Sequence, residues 1–380
     1  MEENGHVDLD AIRAQFPLTE RYAFFDNAAV APMCTAARDA LIRYARESAD
    51  HATALRSAWR ERIDAARVTA ARLINANSDE IAFLKNTTEG IAFVAEGLDW
   101  RPGDNVVIPE REYPANVYPW MNLAHRGVEV RRLPDREGRV RLDALPDVCD
   151  ARTRVVSLSF VQFASGFKTT LAEVGRFCRE RDCLFLVDAI QGLGAFPVDV
   201  EADGIDFLTA DGHKWLTGPE GTAVFFCRTE RLDTLRLTQV GAASVAKPHA
   251  YLTYDLTLAD TARRFEAGSL NVGGVFSLAA AMDFLQSLGM EAITERVLAL
   301  TDRLCAGLLA RGSQVVSSRL PGEASGIVVF TQAAHPPSGV VERLRERGII
   351  VSSRAGAVRA SPHFYNTVDE IDRLLEALPA

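Results

Sequence analysis

A mainly parallel α/β fold is predicted by three features of the sequence. Apolar runs of strand length recur at 81–84, 105–108, 155–160, 183–187 and 205–209, with helical periodicity between them. A helix over 171–182 joins the run at 155–160 to the one at 183–187, and such a crossover sets its flanking strands parallel. Two runs hand over directly to ionisable groups, Asp188 after one and Asp211-Gly212-His213-Lys214 after the other. Open α/β sheets bind ligands at the carboxyl ends of parallel strands, so both groups are aimed at one crevice.

Length and composition narrow the class. A chain of 380 residues is long for a single core and suits two domains. Hydrophobic content of 48% allows a sizeable core. The formal charge of -9, without any block of Lys or Arg, argues against a nucleic-acid partner, because phosphate backbones need a basic face. The six cysteines (Cys34, Cys149, Cys178, Cys183, Cys227, Cys305) have no CxxC spacing, read as reduced and mostly buried thiols, and suggest no metal site. No apolar run reaches membrane-span length, and the acidic Met1-Glu2-Glu3-Asn4-Gly5 start lacks a signal-peptide core. A soluble cytoplasmic protein with no membrane partner is the expectation.

Taken in order, a short helix at 9–15 precedes Tyr22-Ala23-Phe24-Phe25-Asp26-Asn27-Ala28-Ala29, a strand end and turn. Residues 35–73 read as helical, rich in Ala, Arg and Glu. The strand at 81–84 runs into Lys85-Asn86-Thr87-Thr88-Glu89-Gly90 and a helix at 88–97. Thr87 or Thr88 can cap that helix, and the same hydroxyl turn at a helix N-terminus can hold an anion. After the strand at 105–108, Glu112 to Trp120 leads into another helix; Tyr113 there can simply close a core edge. An apolar strand at 222–227 is followed by weak periodicity over 228–263, with a loop at 241–244. Helices at 275–288 and 290–311 precede strands at 314–317, 326–331 and 349–352 and helices at 339–347 and 368–378.

Lys214 is the candidate around which these elements are arranged. The chain uses only four lysines, Lys85, Lys168, Lys214 and Lys247, against 38 arginines among its 42 basic residues. A retained lysine offers what arginine cannot, an amine able to lose its proton and form a Schiff base. Paired with Asp188 at a neighbouring strand end, it suits pyridoxal phosphate, which needs a lysine for its aldehyde and a carboxylate for its pyridine nitrogen. A solvated loop cation and a structural salt bridge are the plainer alternatives.

Three segments, Val187-Asp188-Ala189-Ile190-Gln191, Ala210-Asp211-Gly212-His213-Lys214 and Arg264-Phe265-Glu266-Ala267-Gly268-Ser269-Leu270-Asn271, resemble the class V aminotransferase family of pyridoxal-phosphate enzymes. The resemblance runs from about Ala23 to the C-terminus and is greatest to the branch of cysteine desulfurases, selenocysteine lyases and isopenicillin N epimerase-like proteins. It implies a fold-type I transferase: an N-terminal segment (1–30) packed with the small domain, a large cofactor domain (31–275) and a small C-terminal domain (276–380). It further implies that Lys214 and Asp188 are catalytic with His213 beside the phosphate, and that Thr88, with Thr87 in the same turn, and Ser269 form the phosphate cup. Tyr113 would stack on the pyridine where relatives often have histidine, and Gln191 would meet the ring hydroxyl. Gln162 is a further candidate, since Phe163 stands where many relatives have asparagine. Ala28 would lie near the substrate, and Arg359, with Arg354 close by, would grip the substrate carboxylate. Ser269 would reach the neighbouring subunit's site, which implies a homodimer with shared active sites. Asp211 stands where relatives have serine, and a carboxylate beside a phosphate is repulsive.

The reaction so implied acts on an amino acid through a lysine Schiff base and a Cα carbanion. Transamination, elimination and epimerisation share that carbanion, and the fold does not choose among them. Desulfurases carry a nucleophilic cysteine shortly before the stretch matching Arg359, and here 352–359 has no cysteine. Aminotransferase or a related amino-acid lyase is therefore expected, ahead of an epimerase or a cysteine desulfurase or C–S lyase without the usual loop cysteine, and persulfide formation is disfavoured. A non-catalytic cofactor-binding protein is the alternative from another class.

Overall fold

A computed structural model describes residues 8–250, 252 and 254–379. Its main sheet has seven strands: β1 (Ile81–Leu84), β2 (Asn105–Pro109), β3 (Glu129–Leu133), β4 (Thr153–Ser159), β5 (Leu184–Asp188), β6 (Phe207–Asp211) and β7 (Ala223–Cys227). Their order is β1-β7-β6-β5-β4-β2-β3, and β7 alone runs antiparallel to its neighbours. Both faces of the sheet are covered. Along β5, Phe185 and Val187 enter one apolar cluster, while Leu184 and Leu186 enter the cluster on the opposite face. That double burial explains why the central strands read as continuous apolar runs. Each fully buried Phe or Leu in them contributes about 1.5–3 kcal/mol relative to exposure.

The first layer holds the helices Thr35–His51, Arg56–Leu73, Leu171–Glu180 and Val272–Leu288, and the second holds Thr87–Gly97 and the short helix around Trp120. The 35–73 stretch, expected as one helical region, is two helices. They are separated by the 3-10 turn Ala52–Leu55, with Ala52 at φ 45°. A left-handed alanine cannot continue an α-helix. The sequence reading also had no strand at Glu129–Leu133. This edge strand carries three charged residues, Glu129, Arg131 and Arg132, and exposes Glu129 and Arg132, so it lacks the apolar run that marked its neighbours.

A second sheet packs beside the first. It has four strands: β8 (Gln314–Val315), β9 (Val328–Thr331), β10 (Ser352–Arg354) and β11 (Ala357–Ala360), in the order β8-β9-β11-β10. With the helices Met290–Ala310 and Val368–Ala377 it encloses a third cluster around Phe330, Leu304 and Leu374. The expected strand at 349–352 is divided: Ile349–Ile350 pairs in parallel with Ala23–Phe24, and Ser352 begins the β10–β11 hairpin. Ala355 and Gly356, at φ 50° and 81°, form its two-residue turn, the geometry that matches strand twist. The helix Val272–Leu288 crosses residue 275, and Gly289 at φ 83° separates it from the next helix. Among the described residues no single helix is long and apolar enough to cross a membrane.

Candidate active site

The parallel register sets the site. Ser159 pairs with Asp188, and Asp188 with Thr209, so the ends of β4, β5 and β6 open on one side of the sheet. There, a cavity of about 350 Å³ is lined by Ala28, Thr87, Thr88, Tyr113, Phe163, Asp188, Gln191, Asp211, His213, Lys214, Arg354 and Arg359. Of the candidate residues named from the sequence, all lie in this wall except Gln162 and Ser269; Ser269 lines a separate cavity with Lys85, Glu89 and Gly268.

Lys214 is 7% exposed, and its Nζ lies 5.5 Å from the centre of the Tyr113 ring. Burial lowers its pKa to about 8; the nearby Asp188 charge opposes this, and the Arg359 charge adds to it. Near neutral pH a usable fraction of the amine is therefore unprotonated. Asp188 is 1% exposed. Its Oδ1 accepts from the Ile190 N–H at 3.1 Å, whereas Oδ2 is buried without a partner. Burial, then the Glu112 carboxylate, raises its pKa to about 7. A buried carboxylate oxygen without a donor is costly, and a cationic N–H supplied by a ligand would relieve it.

Glu112 was not singled out by sequence reasoning. It accepts from Ser159 N (3.0 Å) and Oγ (2.6 Å), Tyr113 N (2.7 Å) and Gln162 Nε2 (3.2 Å), and burial raises its pKa. Gln162 is thereby turned toward Glu112 and does not line the cavity, leaving Gln191 facing it. Gln191 Nε2 donates to the Ala28 carbonyl at 2.9 Å, and its Oε1 accepts from Trp215 Nε1 at 3.1 Å. One amide N–H remains for a ligand. Only the charge of Glu112 and its place before Tyr113 could have flagged it.

The turn after β1 differs from expectation. Asn86 caps the helix Thr87–Gly97, accepting from Glu89 N at 2.9 Å. Thr87 is buried, and its Oγ1 accepts from Asp211 N at 3.2 Å, so neither threonine is the cap. Asn86 wins because its side chain can reach back to the third helical N–H from an extended backbone. Thr88 is consequently exposed in the cavity wall at the helix N-terminus.

Arg359 is 2% exposed. It donates long bonds to the Phe163 carbonyl (3.3 Å) and to Asp26 Oδ1 (3.4 Å), and its Nε has no partner. A buried guanidinium so loosely held can still grip a carboxylate. Arg354 is exposed on the hairpin and donates to the adjacent Ser353 carbonyl at 3.0 Å. Ala28 is held by its N–H to Ser361 Oγ at 2.9 Å, and Asn27 by its Nδ2 to the Ser361 carbonyl at 2.7 Å. Tyr113 meets Phe163 edge to face at 5.2 Å. All six cysteines are buried and free, and none lines the cavity.

A parallel sheet with a lysine and a carboxylate at neighbouring strand ends, a helix N-terminus for a phosphate and a buried arginine defines a pyridoxal-phosphate enzyme of the α/β type. The residues fit the cofactor: unpartnered Asp188 Oδ2 suits a pyridine N–H, the depressed Lys214 amine an aldehyde, and the Thr88 turn a phosphate. Residues 23–374 match the family model for aminotransferase class V, and the chain belongs to that family. It is 34% identical to a probable cysteine desulfurase of Methanothermobacter thermautotrophicus, over 97% of this chain and 96% of that one. It is 33% identical to a cysteine desulfurase of Cronobacter sakazakii, over 97% of each. Among solved structures, apo cysteine desulfurase from Thermococcus onnurineus aligns with a TM-score of 0.89 at 25% identity, covering 99% of this chain and 98% of that one. The Escherichia coli cysteine desulfurase CsdA aligns at 0.87 and 28%, covering 98% and 97%. The fold is thus that of the fold-type I enzymes, and the cofactor is pyridoxal phosphate.

Proposed function

We propose that this enzyme is an amino-acid lyase that eliminates a β-substituent from its substrate without using a protein thiol. The observation that carries this reading is a complete Lys214–Asp188–Arg359 constellation in a cavity wall that contains no cysteine. Arg359 binds the substrate α-carboxylate through its under-used guanidinium. Tyr113 and Ala28 line the cavity and would bound the space that holds the cofactor ring and the substrate. Lys214 Nζ, neutral in a useful fraction because of burial, removes the proton from Cα and can return a proton to the leaving group. Asp188, through its unpartnered Oδ2, would hold the cofactor's ring nitrogen in its protonated form. When bound, pyridoxal phosphate supplies the electron sink that makes Cα–H cleavage possible. Transamination uses the same residues and is the second reading.

The substrate is proposed to be cysteine or a related amino acid with a sulfur leaving group, supported by the cysteine desulfurases among its relatives. Supplying cysteine and cystine is expected to give pyruvate and ammonia, with no persulfide on the protein by mass spectrometry. Alanine as product, with a stoichiometric persulfide on any cysteine, would sink the proposal; a keto acid formed only with an amino acceptor would favour transamination.

The proposal includes a homodimer with shared sites and a cytoplasmic setting, the latter supported by six free buried thiols. The exposed Ser269 lies outside the Lys214 cavity of its own chain, as a residue serving a neighbour would. Its segment is fixed by the buried Arg67–Glu266 ion pair (2.5 and 2.7 Å) and by the Phe83 N–H to Glu266 at 2.7 Å. Mixing inactive Lys214→Ala with inactive Ser269→Asp chains is expected to restore about a quarter of wild-type activity, because random pairing leaves one site in four intact. A fully active monomer in sedimentation would refute the shared site.

A further inference from the structure

Asp211 ends β6 and is only 7% exposed, yet its Oδ1 has no hydrogen-bond partner. Its Oδ2 accepts a single long bond, 3.5 Å, from the Thr87 N–H. The Asp211 N–H in turn donates to Thr87 Oγ1 at 3.2 Å, so the carboxyl is tied to the first turn of the helix Thr87–Gly97. In that turn the Thr87 N–H goes to Asp211 and the Glu89 N–H to the Asn86 cap, which leaves the Thr88 N–H at the positive end of the helix dipole, a setting in which a phosphate binds. Asp211 lines the same cavity as Thr88, His213 and Lys214. A phosphate entering there meets a carboxyl group at close quarters. Were Asp211 ionised, like charges would face each other at a largely buried group; a proton on the acid turns repulsion into a hydrogen bond.

We propose that Asp211 binds the cofactor phosphate as a neutral carboxylic acid, with Oδ1–H donating to a phosphate oxygen while Oδ2 keeps the Thr87 N–H. This rests on the reading that the Lys214 cavity holds the cofactor with its phosphate at the helix end. The proton comes from solvent and moves to Oδ1; no covalent bond to the phosphate changes. The surroundings agree. Burial is the main cause raising the Asp211 pKa to about 6, against the Thr87 N–H and the Lys214 charge, with Glu220 adding to the rise. His213 Nδ1 lies 3.8 Å from Oδ2, but burial and Lys214 both disfavour its cationic form, so it is a poor standing counter-ion. On the adjacent strand, Asp188 is itself raised by the Asp211 charge. At pH 8 the free carboxyl is mostly ionised and must take up a proton to bind. Each pH unit above the Asp211 pKa then weakens binding by about tenfold.

The test uses pyridoxamine 5'-phosphate, which carries the phosphate but no aldehyde to react with Lys214, and the full-length chain freed of cofactor. Its dissociation constant is measured from pH 5.5 to 8.5 for wild type and Asp211→Asn, whose amide donates at every pH. The ratio of the two constants cancels the ligand's own ionisation. We expect binding within about threefold at pH 5.5 and 10- to 100-fold tighter binding by Asp211→Asn at pH 8. Titration calorimetry of the wild type in buffers of different ionisation enthalpy should show about one proton taken up at pH 8 beyond that of Asp211→Ser. This measurement serves if the Asn variant does not fold. A pH-independent ratio, or equal proton uptake in wild type and Asp211→Ser, overturns the role of Asp211 and leaves the cofactor site standing. Failure of every form to bind the probe overturns both.

Discussion

Lys214→Ala is expected to lose the borohydride-trapped link to the cofactor and to lower turnover by about three to four orders of magnitude, the upper range for a group that acts as both base and covalent anchor. The geometry makes the effect specific to this residue. Lys214 is the lysine in the cavity wall, close to Tyr113 and shielded from water, and burial rather than a partner sets its pKa. The sign of the pH dependence follows. The amine must be neutral to bond, so trapping in the wild type should rise with pH and level off above about 8. Lys214→Arg should be as inactive as alanine, since a guanidinium stays charged. Peptide mapping after reduction checks the assignment, and a label on Lys85, Lys168 or Lys247 would refute it.

Asp188→Asn should keep cofactor bound but reduce turnover by about two to three orders of magnitude, because the amide cannot stabilise a protonated ring nitrogen. Two pKa units of lost stabilisation correspond to about 2.7 kcal/mol. The unpartnered Oδ2 is the structural reason for expecting a large effect from an isosteric change. In absorption spectra the variant's bound cofactor should show an altered ring-nitrogen state while Lys214 remains trappable by borohydride. Turnover near wild type would remove Asp188 from this role.

Much of this could be read from the sequence, for physical reasons that differ by element. Strands β2, β4, β5 and β6 are buried on both faces, so their apolar runs stand out without any alignment. The edge strand Glu129–Leu133 carries charges at three of its five positions and resembles a loop. The break at Ala52 has no proline or glycine to announce it and lies on an exposed stretch, so no change in the apolar pattern marks it. In the site, Lys214 and Asp188 were legible because Asp188 ends one apolar strand and Lys214 lies in the short polar run that ends the next. The Asp26–Arg359 contact joins residues 333 positions apart, and Glu112 takes its meaning from Ser159 and Gln162, which only folding brings near. Asn86 was overlooked as the cap because two threonines beside it offered the same chemistry.

The burial of every thiol bears on what leaves the enzyme. Burial pushes Cys34, Cys149, Cys227 and Cys305 up from their ordinary values, and none of the six touches the cavity. Under the proposed β-elimination, with no sulfur nucleophile to receive it, a leaving group set free at Cβ would escape as a diffusible small molecule. Its fate is then decided by concentration and by whatever scavenges it in bulk solution, and delivery to an acceptor needs no docking event that aligns two proteins. On this reading the enzyme works as a source, where an enzyme with a cysteine on a surface loop works as a courier.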